Sequence, residues 1–168
     1  SLLRCFKIIH ERCPDAKLWI AGVGPLEAHL RAESERLGLA SSVSFLGFVR
    51  DLPSLLALGD IQVHPATAEG VPLAICAGMV AGLPIVASAV GGVPEIMDGG
   101  RNGFLIPLGD EMRFVETVLD LIRDPGEARR RSAAAKHFIE HAYSLSAAVT
   151  GVEQTYREML GSCGSASS

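Results

Sequence analysis

The chain has 168 residues, the size of one ordinary domain, and 48% hydrophobic against 20% charged residues lets it bury a sizeable core. Its formal net charge is −4 and only 5% of residues are aromatic. That balance argues against a partner held mainly through a phosphate backbone and against stacking platforms for single strands. No apolar run reaches the ~18 residues of a membrane span, and no basic region followed by an apolar stretch opens the chain. Ser1 in place of Met suggests a piece of a longer or processed protein. The cysteines at positions 5, 13, 76 and 163 lack CxxC spacing and a neighbouring histidine cluster. They are expected to be buried or idle thiols of a reducing cytosol, without a zinc site or a disulfide scaffold.

In chain order, helix-like and strand-like periodicities alternate. Leu3, Phe6, Ile9 and Cys13 recur at helical spacing, predicting a helix over 2–13 that Pro14-Asp15 stops. A strand over 17–23 precedes an amphipathic helix over 25–37, with Pro25 in its first turn and Gly38 past its end. A strand over 43–49, a short helix over 53–58 and a strand over 61–64 follow. The segment 72–81 reads as a helix apolar almost all round, hence buried on several sides. Strands over 84–90 and 103–106 then give way to helices over 111–123, 127–141 and 146–160, and a Gly/Ser tail over 161–168 is expected to be disordered. Strands alternating with helices predict a doubly wound, Rossmann-like α/β domain: a parallel sheet with helices on both faces. Ligands of such sheets bind outside the carboxyl ends of the strands, so the loops there are the places to inspect.

Three such loops stand out. Gly22-Val23-Gly24-Pro25 lets backbone approach a ligand at a helix start, but it lacks the third glycine and the acidic residue of a dinucleotide fingerprint. On its own it is a weak signal, and a simple tight turn is the plainer reading. Pro65 to Met79 carries Glu69-Gly70 before a helix, where the N–H groups of Gly70, Val71, Leu73 and Ala74 can face an anion. Pro72 supplies none and needs none there. Glu69 can accept hydrogen bonds from ligand hydroxyls, or can merely offset the helix dipole. Gly91 and Gly92 follow a strand, with Glu95 in the next first turn; close approach to a ligand and a plain turn both fit. His64 reads as a core-edge histidine, because no carboxylate or nucleophile adjoins it in sequence to orient it. Arg129, Arg130 and Arg131 read as a solvated face. No Asp-x-Asp pair offers a bridge for a divalent metal, and no G-x-S-x-G elbow is present.

Taken together, EGVPLAICAGMVAGLPIVASAVGGVPEIMDGGRNGFLIPLGD strongly resembles the carboxyl-terminal domain of the group 1 family of retaining glycosyltransferases of GT-B fold. AGVGPLEAHL and VSFLGFVRDLPSLLALGDIQVHP match the family as well, so the resemblance covers roughly residues 1–160. It implies the donor-binding half of a metal-independent hexosyltransferase whose nucleotide-sugar is a substrate, with no cofactor. Glu69 would be the catalytic-site carboxylate on hydroxyls of the donor sugar. The backbone at Gly70, Val71, Pro72 and Leu73 would lie along sugar and diphosphate. Gly47, Phe48 and Val49 would border the nucleobase, Gly22 and Gly24 would line the cleft floor, and Gly91 and Gly92 would complete the donor site. The partners implied are the donor and an amino-terminal acceptor domain, with no nucleic acid. The implied location is the cytoplasm, with peripheral membrane association open for the full-length protein.

Two departures qualify the resemblance. The family's second glutamate, which holds the ribose, falls at Ala77. Losing a hydrogen bond to a charged group costs about 1.5–3 kcal/mol, roughly 10- to 150-fold in affinity. The chain also opens after the family's first strand and the Arg and Lys that follow it, so it is expected to be inactive alone. The alternative is a degenerate, non-catalytic relative kept for interaction or weak nucleotide binding. A nicotinamide-dependent oxidoreductase fits the fold class but fails on the missing fingerprint residues. An absent first strand would lie between 17–23 and 61–64, leaving a gap of about 9.6 Å and poor stability. The stripe Val149, Val152, Tyr156 and Leu160 would be partly exposed, since the family's last helix crosses onto the other domain.

Overall fold

The computed structural model describes the backbone of residues 1–164 and the side chains of residues 1–160. Five strands, β1 (Leu18–Ala21), β2 (Val43–Gly47), β3 (Gln62–His64), β4 (Ile85–Ser88) and β5 (Phe104–Ile106), carry the framework. The helices are α1 (Leu2–Arg12), α2 (Glu27–Arg36), α3 (Leu52–Ala57), α4 (Leu73–Ala81), α5 (Val93–Ile96), α6 (Glu111–Arg123), α7 (Pro125–Ala142) and α8 (Leu145–Gly164). The short α5, continued by a 3-10 turn over Asp98–Gly100, was not among the predicted elements.

Local chemistry sets the boundaries. Asp110 accepts from the Arg113 N–H at 3.0 Å and starts α6. Asp124 accepts from the Gly126 N–H at 2.9 Å, so α7 begins at Pro125 rather than at Glu127. Strand β2 stops at Gly47, whose φ of 62° turns the chain before Phe48 and Val49. Helix α8 runs to Gly164, into the segment expected to be a disordered tail, and residues 165–168 lie outside the described residues.

All strand pairs are parallel, but they form two sheets rather than one. Strand β1 pairs with β2, and β3, β4 and β5 pair in that order. β1 and β3, the two strands expected to flank an absent one, lie in different sheets. They have not closed onto each other, so each presents one unpaired backbone edge.

A single apolar cluster spans the two sheets on one face. Leu3, Phe6 and Ile9 of α1 join Leu18 and Val43 of the first sheet to Val86 and Ile106 of the second, with Phe114, Val115 and Val118 of α6. Arg4–Glu111 and Arg12–Glu116 ion pairs, at 3.3 and 2.6 Å, tie α1 to α6 at its rim. The other face of the second sheet is covered too: Ile85 and Ala87 pack with Ile75 and Met79 of α4 and Ala135 and Ile139 of α7. On the first sheet the corresponding face stays open, with Trp19, Ser44 and Leu46 exposed.

Helix α8 carries its apolar stripe into solvent. Val149, Val152, Tyr156 and Leu160 are 50%, 56%, 63% and 74% exposed, as their spacing and the resemblance led one to expect. Arg131 departs from the solvated face predicted for it. It is part-buried, donates to the carbonyls of Gly100 and Gly103 at 2.9 Å each, and stacks over the Phe104 ring. It thereby pins α7 to the loop before β5.

Candidate functional site

The carboxyl ends of β3 and β4 form the better-built part of the crevice. Strand β3 delivers His64, the chain turns through Glu69-Gly70, and buried Pro72 leads into α4. Gln62 fixes the start of α4: its Nε2 donates to the Ala74 carbonyl at 2.8 Å. Its Oε1 is buried without a partner, in the space that any side chain at Gly78 would need. Sequence reasoning missed Gln62, because nothing local links a strand residue to the first turn of the next helix.

The Glu69-Gly70 backbone lies directly on the Gly91-Gly92 backbone. The Gly92 N–H donates to the Glu69 carbonyl at 3.4 Å. A Cβ at Gly91 would overlap the Glu69 carbonyl, and one at Gly92 would overlap the Gly70 carbonyl oxygen. Gly91 also has φ 51°, a conformation side chains disfavour. Two of the three glycine-containing loops are therefore one unit, and both glycines are needed for contact between protein backbones.

Glu69 has a partner the sequence concealed. Its Oε2 lies 3.1 Å from His64 Nε2, and both side chains are only partly exposed, 29% and 19%. His64 was read as lacking a carboxylate to orient it. The turn over Pro65–Ala68 brings one back, which sequence adjacency could not reveal. The usable signal was the spacing of a strand-end histidine and a carboxylate across a proline-led turn.

At the start of α4 the N–H groups of Gly70, Val71 and Ala74 have no protein acceptor among the described residues. Leu73 corrects the expectation: its N–H donates to the Val71 carbonyl at 3.0 Å and does not face the crevice as a free donor. Val71 and Leu73 expose 65% and 75% of their surface, and Ala77 is half-buried one helical turn further on.

The remaining predicted residues sit on the first sheet, at the ends of β1 and β2. The Gly22 N–H donates to the Gly47 carbonyl at 2.7 Å, joining that pair of loops. Gly24 is exposed, Val49 is half-buried, and Val23 and Phe48 project as apolar side chains, 71% and 75% exposed. Among the described residues no hydrogen bond joins this group to Glu69, Gly70, Gly91 or Gly92. The predicted site residues thus fall into two separately assembled groups of loops, one at the carboxyl ends of β1 and β2 and one at those of β3 and β4.

Nearby titratable groups are shifted mainly by burial. Burial pushes the Cys76 thiol up, which keeps it protonated and poorly nucleophilic. The Tyr143 hydroxyl is raised by burial first and then by the charge of Glu95. Among the described residues no three His, Cys, Asp or Glu side chains are grouped to hold a metal ion. No described helix is long and apolar enough to cross a membrane.

Comparison with known proteins gives one consistent answer. Residues 1–124 match the family model described as glycosyl transferases group 1. EpsD of Bacillus subtilis is 33% identical over 130 residues, 77% of this chain and 34% of that protein. The alpha-D-kanosaminyltransferase of Streptomyces kanamyceticus is 31% identical over 147 residues, 86% of this chain and 38% of that one. The chain thus spans only about a third of the length of these relatives. Among solved structures, Anabaena Alr3699/HepE in complex with UDP superposes with a TM-score of 0.78 at 26% identity, over 95% of this chain and 44% of that one. TarM reaches 0.82 at 20% identity, covering 90% and 31%, a likeness of fold. The architecture is that of one Rossmann-like half of a GT-B fold.

Proposed function

The chain belongs to the group 1 glycosyltransferases, and on that premise we propose that it is the donor-binding part of a retaining enzyme that uses a nucleotide-sugar. The reading rests on one observation above all: the Glu69-Gly70 loop is locked onto Gly91-Gly92 at the mouth of α4, with unengaged N–H groups beside a carboxylate. Such a mouth suits a diphosphate on the N–H groups and the helix end, and sugar hydroxyls on Glu69. Phe48 and Val49, across the crevice, offer apolar surface to a nucleobase, and Gly22 and Gly24 keep the floor open. UDP bound to Alr3699/HepE supports the nucleotide class.

Transfer with retention requires fixed positive charge on the leaving diphosphate and an acceptor hydroxyl held against the anomeric carbon. In this reading both come from parts of the enzyme beyond these residues, among them an acceptor domain, and the chain alone binds without turning over. Ala77 favours a second reading, a relative that binds nucleotide weakly and has lost catalysis. Titration of UDP, GDP and ADP, followed by amide chemical shifts, tests donor binding. The expected outcome is shifts at Gly22, Phe48, Glu69 and Gly92 at millimolar ligand; no shift at those residues refutes it. Activity of the full-length parent enzyme separates catalysis from the non-catalytic reading.

A further inference from the structure

We infer that His64 is the positioning residue for Glu69: its imidazole holds one carboxylate oxygen so that the other faces the donor sugar. The inference rests on the donor-site reading above and adds to it a residue that sequence reasoning had assigned to the core edge.

The geometry is specific. Nε2 of His64 lies 3.1 Å from Oε2 of Glu69. A carboxylate only accepts hydrogen bonds, so Nε2 carries the proton and donates. Glu69 sits on a loop, and a glutamate side chain is among the costliest to immobilise. His64 is the opposite, a residue of β3 whose backbone is registered against Ala87 of fully buried β4. Its backbone is therefore held by a strand paired to the buried centre of the second sheet. The loop backbone at Glu69 is fixed independently by Gly91 and Gly92. With its backbone and one oxygen fixed, Glu69 keeps Oε1 as the acceptor available to a ligand. Such preorganisation by a neighbouring group is how polar sites hold productive geometry. Among the described residues no other side chain is hydrogen-bonded to Glu69.

The test compares UDP with UDP-glucose on the intact chain, because Glu69 is assigned to the sugar and not to the nucleotide. Calorimetric titration of wild type, His64→Leu and His64→Gln is the core experiment. His64→Leu should weaken UDP-glucose by about tenfold and leave UDP unchanged, in keeping with the loss of a charge-assisted hydrogen bond. His64→Gln restores an N–H donor and should recover most of that loss. Equal weakening of both ligands, or no weakening, shows that His64 does not position Glu69. Failure of the glutamine variant to recover overturns the idea as well. If wild type binds UDP but gains nothing from the sugar, the inference falls while nucleotide binding stands. If wild type binds neither ligand, the donor reading itself falls and takes this inference with it. Nitrogen-15 shifts of the His64 ring in wild type give a readout that needs no variant to fold. A proton on Nε2 is expected, and an unprotonated Nε2 overturns the proposal.

Discussion

The two sheets are built to different standards. In the second, β4 is buried along its whole length, helices cover both faces, and the strand-end loops lock backbone to backbone. In the first, β1 and β2 alternate buried and exposed residues, one face is open at Trp19 and Leu46, and the strand-end loops meet through one hydrogen bond. Both are tethered to one apolar cluster through α1 and α6. The contrast teaches that the second sheet can hold its half of the crevice by itself, while the first depends on what packs against it.

The largest expected effect comes from cutting the tether. Phe6→Ala removes a side chain that is only 5% exposed in the shared cluster. It should cost about 3–5 kcal/mol, much of a domain's total of about 5–15 kcal/mol. Urea denaturation measures the loss. Hydrogen exchange should show β1 and β2 opening while β4 stays protected; simultaneous opening of both sheets would break the comparison. A cooperative transition above about 60 °C from a monomeric sample would also break it, since two free strand edges predict lower stability.

Next in size are the locking glycines. Gly91→Ala combines positive φ with overlap on the Glu69 carbonyl and should cost roughly 1–3 kcal/mol and abolish nucleotide-sugar binding. Gly92→Ala has ordinary φ, −80°, and isolates the overlap with Gly70. Thermal melts and calorimetry on the pair sharpen the claim that backbone contact builds this half of the crevice. If Gly92→Ala binds like wild type, that contact does not set the geometry.

Ala77→Glu acts on affinity alone. It should tighten UDP by up to roughly 10- to 150-fold, the worth of a charged hydrogen bond, and do less for the 2′,3′-dideoxy nucleotide. Equal gains for both would remove the ribose from position 77.

The smallest effect concerns the support of the second sheet at α7. Hydrogen bonds from Arg131 and then Arg130 hold the Glu127 carboxyl below its ordinary range. A carboxylate whose folded value is depressed stabilises the fold above its unfolded value, and the gain fades as pH falls through the folded one. Glu127→Gln should therefore lower the melting temperature slightly near neutrality and converge with wild type at acid pH, which flattens the acid limb of the profile.

How much was legible follows from how local each cause is. The start of α6 is legible because Asp110 sits in the sequence beside the N–H group it caps, whereas Asp124, which follows α6, caps the start of α7. Fold class followed from the alternation of periods. The division into two sheets was not written in any segment, although the separation of β1 from β3 followed from strand order. Arg131 was misread because its acceptors, the carbonyls of Gly100 and Gly103, belong to a distant loop. Within the site, Glu69 and the glycines were found as residue types at strand ends. Their mutual contact, and the roles of His64 and Gln62, depend on chain reversals that bring distant atoms together. Leu73 was misjudged because a tight turn at Val71 consumes its N–H.

The contact between the two loops of the second sheet has a consequence for variation. It is made by main-chain atoms of Glu69, Gly70, Gly91 and Gly92, so the side chains of Val71 and Leu73 take no part in holding the loop. Both point mostly into solvent. Substitutions at these two positions can change the crevice lining while its frame keeps its shape. A library randomised at 71 and 73, with both glycines retained, would vary ligand preference on a constant scaffold.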